Sequence, residues 1–337
     1  MTMAQTQMLD LLTREGVLLS VSVRYWRAAK KLQAQDLGLD PDDVTDRLIS
    51  LGHKRLMPKD ALAGFALIES RAHALVDSAT FPFMNGLARF LPNRKLGEVT
   101  RRLGELETEF RQARTAFASK YAGLREEALN EWHEQARRLS SDPDKVVASV
   151  SAAFPAPDRL DRHFGFITSL FQIRLPEALD AELVQAGDRQ ELMRAREQAA
   201  QEARRRIGEG VESFVGDCVT SLRQQTATLC EEMLEAFRTG KTGVHQRTLN
   251  RLTEFIDNFR SLNFANDAEL DRRLTEVRQR FLNTTAETYR DDVQARTRMT
   301  EGIRGLANAA RELAQADTKA VVEGFGKMGT RRFTLAA

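Results

Sequence analysis

From Val99 to Leu139 the apolar side chains recur at Val99, Leu103, Leu106, Phe110, Ala113, Phe117, Tyr121, Leu124, Ala128, Trp132, Ala136 and Leu139, every step three or four residues. That spacing keeps one apolar stripe on one side of an α-helix and predicts a single amphipathic helix of about 60 Å. The spacing is close to a coiled-coil seam, and it calls for an equally long partner. The same rhythm returns at Leu179, Leu183, Ala186, Met193, Ala200, Ile207, Val211, Phe214, Cys218, Leu222, Leu229, Met233 and Phe237. This predicts a second long helix, bent around Gly208 and Gly210, as the partner of the first. Its stretch RAREQAAQEARRR is polar nearly all round, the pattern of an exposed helix. Beyond the break at Gly240–Gly243, one helix is predicted through Leu249, Leu252, Phe255, Phe259 and Leu262, and another through Leu270, Leu274, Val277, Phe281 and Tyr289. The last quarter is helical again and thins into a Gly-rich tail.

Residues 140–178 follow a different pattern. Asp142 and Pro143 are a helix-start pair, with a capping carboxylate before a proline suited to the first turn, and predict a short helix through Val150. After Phe154-Pro155-Ala156-Pro157, the alternation of Phe164, Phe166 and Thr168 and of Phe171, Ile173 and Leu175 predicts a strand or short β-hairpin. Before Arg94 the elements are short. Val17, Leu19, Val21, Val23 and Tyr25 alternate as a strand that turns helical near Trp26, and Asp40-Pro41 and Pro58-Lys59-Asp60 each open a helix. Together these patterns predict a mainly α fold: an elongated antiparallel long-helix stalk, a coiled-coil-like bundle over 96–337. A small N-terminal base occupies 1–95, and a tip is inserted at about 140–178.

Composition narrows the function. With 42% hydrophobic and 29% charged residues among 337, the chain has material for a real core. A net charge of +2 from 50 basic and 48 acidic residues gives no global reason to expect nucleic acid, an anionic membrane or an acidic substrate. No run of 18 apolar residues and no secretory pattern occurs, so a cytoplasmic protein is expected. Cys218 and Cys230 lie about 18 Å apart if they share one helix, too far to bridge, which fits a reducing compartment.

Several motifs fail on spacing. Gly240-Lys241-Thr242 resembles the end of a phosphate-binding loop, but Glu235 stands where the first glycine is required. Gly324-Phe325-Gly326-Lys327-Met328-Gly329 matches a dinucleotide fingerprint in letters, with no room after it for the second strand, and reads as a flexible tail. His133-Glu134 begins a zinc-protease pattern that Arg137 ends, and His53, His73, His163 and His245 are scattered. Asp36, Asp40, Asp42, Asp43 and Asp46 lack calcium-loop spacing and read as helix-start acids. No catalytic, cofactor or metal residues are read. Arg204-Arg205-Arg206 is a basic spot balanced by nearby acids.

Two segments remain as candidate contact surfaces. One is Arg24, Tyr25, Trp26, Arg27, Lys30 and Lys31, where charges flank aromatic rings. The other is the apolar tip: Phe164, Phe166, Ile167, Leu170, Phe171 and Ile173.

Over Gly16-Val17-Leu18, Val21, Val23, Trp26, Lys30-Lys31-Leu32, Asp36-Leu37-Gly38 and Gly52-His53-Lys54-Arg55-Leu56-Met57-Pro58, the sequence resembles a helical family of unknown function carried by bacteria, phages and plasmids. The resemblance is strongest over the first hundred residues and looser at Phe164–Pro176. It brings no catalytic residues. It implies a genomic setting beside a MoxR-type AAA+ ATPase and a von Willebrand factor A protein, and hence a component or adaptor of an ATPase-driven assembly. The reading is a non-enzymatic scaffold or adaptor, its partners such proteins or further copies of itself. The alternative, by analogy only, resembles the ClyA-type helical pore formers, with the apolar tip entering a bilayer.

Overall fold

The computed structural model describes residues 3–34, 51–84, 86, 88–139, 142–172, 189–239 and 244–334. The fold is mainly α with a small antiparallel sheet. Two compact units form, one from Met1–Leu19, Ala79–Gly97 and Leu170–Ala337, the other from Ser20–Ser78 and Glu98–Ser169. Both are discontinuous in sequence, so they cut across the consecutive segments 1–95 and 96–337.

In the first unit, α1 (Met3–Glu15) leads into β1 (Gly16–Arg24), whose opening residues pair antiparallel with β5 (Ala88–Pro92). β5 pairs in turn with β4 (Phe81–Phe83), Phe81 opposite Phe90. The approach at Gly16 is close: a Cβ there would lie 2.5 Å from both the Leu91 carbonyl oxygen and the Phe90 ring, so glycine is required. The rest of the unit is helical: α5 (Arg189–Thr239), α6 (Gln246–Leu262), α7 (Ala268–Phe281), α8 (Ala286–Asp291), α9 (Val293–Gln315) and α10 (Lys319–Thr334). The most extensive helix packing is α5 against α9, while α10 packs on α1 and α5.

The apolar stripe of α5 that begins at Val211 fills the middle of this core, with Phe214, Val215, Cys218, Val219, Leu222 and Met233 buried. Phe83, Phe90 and Phe264 close around Phe214 at 4.9–6.4 Å between ring centroids. One charged pair lies inside. Arg223 Nε donates to Asp267 Oδ2 at 2.6 Å with both side chains under 5% exposed, and Arg223 Nη1 donates to the Leu313 carbonyl at 2.7 Å. Asp267 also caps α7, its Oδ1 accepting from Leu270 N–H. One residue thereby ties the middle of α5 to the start of α7 and the end of α9.

In the second unit β1 continues and neighbours β6 (Gly165–Phe171). β2 (Ala29–Lys31) and β3 (His53–Arg55) make a separate antiparallel ribbon. A 3₁₀ turn over Lys59–Leu62 feeds α2 (Ala63–Ala79). α3 (Asn93–Leu139) is the predicted long helix, and α4 (Pro143–Ala152) is the predicted short one, with the Asp142 carboxylate accepting from Lys145 N–H.

Three expectations change. The buried stripe of α3 is covered by aromatic rings of its own unit and that of α5 by α9, so each stripe is covered within its own unit. A heptad-like stripe needs an apolar surface, and rings supplied by several segments serve as well as a second helix. The segment near Trp26 is not helical: Ala28 has φ 47° and the chain goes on into β2. α5 is the second predicted long helix, continuous through Gly208 and Gly210. The Gly324–Gly329 segment is no tail but part of α10, anchored by the fully buried Phe325. The helices predicted near Asp40 and over 179–188 lie outside the described residues.

Asp267→Ala strands Arg223 in the core and should cost about 3–5 kcal/mol in urea unfolding. Replacing both partners with apolar residues should cost much less; equal losses would show that the pair does not act as a unit.

Candidate functional site

The two candidate surfaces both begin as alternating apolar patterns, and the structure sorts each into a buried and an exposed part. At Arg24–Lys31 the aromatic residues are interior: Tyr25 and Trp26 are each 8% exposed. Tyr25 stacks on Phe65 at 5.6 Å, and Trp26 meets Tyr121 at 5.9 Å and Phe154 at 5.6 Å. Phe65 is the hub, touching Phe110, Phe117 and Phe164 at 5.0–5.9 Å. Tyr25 and Trp26 therefore hold the unit together and cannot serve as contact residues, which corrects the reading of this segment. Each ring has more apolar area to bury than a surface position near four charges could cover.

Arg24, Arg27, Lys30 and Lys31 stay exposed. The Arg27 guanidinium lies 3.9 Å over the Tyr25 ring and forms a two-point pair with Glu69, at 2.9 and 2.6 Å. The hydrogen bonds from Arg27 hold the Glu69 carboxyl below its ordinary range, and burial raises the Tyr25 phenol. Glu69 lies 42 positions from Arg27, and nothing in the sequence pattern signals it. The ribbon register places Lys31 opposite His53, Lys30 opposite Lys54 and Ala29 opposite Arg55. Lys54 is buried and its Nζ donates to Ser149 Oγ at 3.4 Å; Trp132 Nε1 donates to the Arg55 carbonyl at 2.9 Å. The segment thus turns its rings inward and its cationic side chains outward.

The described part of the second segment, residues 154–172, divides into core and surface in the same way. Phe154 and Phe164 are core residues, and Phe166 is half-buried with its ring 5.9 Å from Phe110. β6 is a strand of the sheet, with Ile167, Leu170 and Phe171 exposed at 56%, 47% and 51%. Ile173 lies outside the described residues, as does Gly240-Lys241-Thr242.

Reactive chemistry is scarce. Burial raises the Cys218 thiol and pushes Cys230 up to about 12, so neither thiolate is available near neutrality. Among the described residues no group of three or more His, Cys, Asp or Glu side chains gathers to hold a metal ion. No helix among them is long and apolar enough to cross a membrane. Burial raises the Tyr121 phenol to about 12, and its hydroxyl donates to the Pro155 carbonyl at 2.7 Å.

A family model described as "Protein of unknown function (DUF3150)" matches residues 13–288. No curated protein and no solved structure matches the chain.

Trp26→Ala should lower stability by about 3–5 kcal/mol in denaturant titrations, whereas Lys30→Glu should change it by no more than about 0.5 kcal/mol. An unfolded tyrosine ionises near 10.0 and Tyr121 near 12, so its contribution is complete below the lower value and lost as pH rises through the higher. Tyr121→Phe should lessen the fall in Tm across that window, leaving the parts due to Tyr25 and to the two buried thiols, Cys218 and Cys230.

Proposed function

The chain belongs to the DUF3150 family of unknown function, and from that premise we propose that it is a non-enzymatic scaffold or adaptor protein. The observation that supports this most is the first part of α5. From Arg194 to Ile207 no described side chain is buried, although the helix continues for about five turns before its core stripe starts. A helix polar on every side is either stapled by its own ion pairs or covered by something else. Staples are present: Arg205 pairs with Glu202 and Glu209 at 2.8 and 3.0 Å, and Arg206 with Glu202 at 2.8 Å. Hydrogen bonds from Arg205 and Arg206 hold the exposed Glu202 carboxyl down to about 2. Several turns of preformed helix whose described side chains are exposed or half-buried offer a partner an ordered surface, so little ordering entropy is lost on docking.

The partners proposed are those that the family resemblance implies, a MoxR-type AAA+ ATPase and a von Willebrand factor A protein. The exposed apolar side chains of β6 favour one second reading, a membrane-active protein, now confined to Ile167, Leu170 and Phe171 because Phe164 is committed to the core.

A tagged full-length chain drawn from nuclease-treated host extract should recover one of these two proteins at near-stoichiometric amount. Arg205→Gln with Arg206→Gln removes these charges without introducing repulsion and should cut that recovery about tenfold with only a small fall in the Tm of the chain. Recovery of the chain alone, together with dye release from liposomes that Phe171→Asp abolishes, would replace the adaptor by the membrane reading.

A further inference from the structure

α10 is a weak helix held at one strong point. Gly324, Gly326 and Gly329 occupy three of its 16 positions, and glycine is a poor helix former beside alanine. Among its described side chains only Phe325 is buried, its ring 5.7 Å from Phe264. The small residues do allow close seating: a Cβ on Gly326 would sit 3.4 Å from Met8 Cε, and one on Gly216 of α5 would sit 2.9 Å from Thr318 Oγ1. Val321, Val322 and Met328 are only half-buried. A groove of about 360 Å³ remains between α10 and its supports, bordered by Met8, Glu212 and Val322. The seat is therefore specific in shape and modest in strength.

The junction before α10 is Ala316-Asp317-Thr318, with neither proline nor glycine. What breaks the helix is a local hydrogen bond, Lys319 N–H donating to Asp317 Oδ1 at 2.8 Å, with the Thr318 carbonyl accepting from Val321 and Val322 N–H. Nothing covalent prevents these three residues from becoming helical, which would join α9 and α10 into one helix of about 60 Å. α10 would then leave its own seat on α1 and α5. The surface it vacates is complementary to one known segment, α10 itself.

We infer that α10 is an exchangeable helix: in two copies of this chain the α9–α10 junction straightens, and each copy seats its α10 on α1 and α5 of the other. The interface formed is chemically the same as the one broken, so only the junction and the association entropy separate the two forms. A reciprocal exchange closes with two-fold symmetry and gives the proposed scaffold a way to pair. The inference rests on that reading only for its purpose: a strictly monomeric chain that still captures an ATPase would keep the adaptor and end the exchange.

The experiment is light scattering after size exclusion on the full chain, incubated from about 1 to about 500 µM. The wild-type chain should show a dimer whose share rises with concentration. Asp317→Ala removes the bond that starts α10 and supplies a strong helix former, and should raise the dimer association constant about fivefold. Lys319→Pro loses the same bond, because proline has no N–H, but it places proline at the first turn of α10, where that loss is tolerated, and its ring would clash with the Gln315 carbonyl in a continuous helix. That variant should be monomeric throughout, with thermal melting showing that it is folded. A dimer that persists in folded Lys319→Pro, or no dimer in either the wild-type chain or Asp317→Ala, would overturn the inference.

Discussion

A guanidinium buried among leucines and valines is stable only where the surrounding chain supplies it with acceptors. Arg223 sits in the middle of α5, and its two acceptors come from places far apart in sequence, the Asp267 carboxylate and the Leu313 carbonyl. Losing either contact leaves a charged group desolvated, so helix register is held tightly around this point. Asp267 is itself fixed by Asn263, whose side chain accepts from Asp267 N–H at 2.8 Å, across a turn where Asn266 adopts φ 58°. The α6–α7 turn, the start of α7 and the position of α9 along α5 therefore follow from one ionic contact. At the far end of α7 the helices also fit closely: a Cβ on Gly302 of α9 would overlap the Phe281 ring.

The second unit is organised by rings. Phe65 on α2 gathers Tyr25, Phe110, Phe117 and Phe164, and Trp26 extends the cluster to Tyr121 and Phe154. Aromatic pairs tolerate a range of stacked and edge-on geometries, which suits a core assembled from a strand, two helices and connecting segments. The functional consequence is a separation of roles within the Arg24–Lys31 segment. Its rings stabilise the unit, and only its charges face outward.

Much of the fold is legible in the sequence because helix periodicity is a local property. The three-and-four spacing from Val99 to Leu139 marks α3, Asp142-Pro143 marks the start of α4, and the Phe164–Phe171 alternation marks β6. The run RAREQAAQEARRR, polar nearly all round, is also recognisable as a helix without a core stripe, since its only apolar side chains are four alanines. The Gly324–Gly329 segment is not legible, because glycine lowers helix propensity by an amount that one buried phenylalanine and close packing on α1 can offset. The candidate contact surfaces are half legible. Residue types announce charge and aromatic content, but burial decides which of them a partner can reach.

The sequence by itself determined the helical class, the extent of the long amphipathic segments, the failure of the phosphate-loop and zinc patterns, and the family resemblance, all of which depend on residues near one another in the chain. Tertiary structure alone decided which surface covers each stripe. It set rings of the second unit over α3 and α9 over α5, withdrew Trp26 and Phe164 into a core, and brought Arg223 to Asp267. An apolar stripe specifies that it must be covered and a buried charge that it must be paired. Neither specifies by what, because that choice is made by packing between residues tens to hundreds of positions apart.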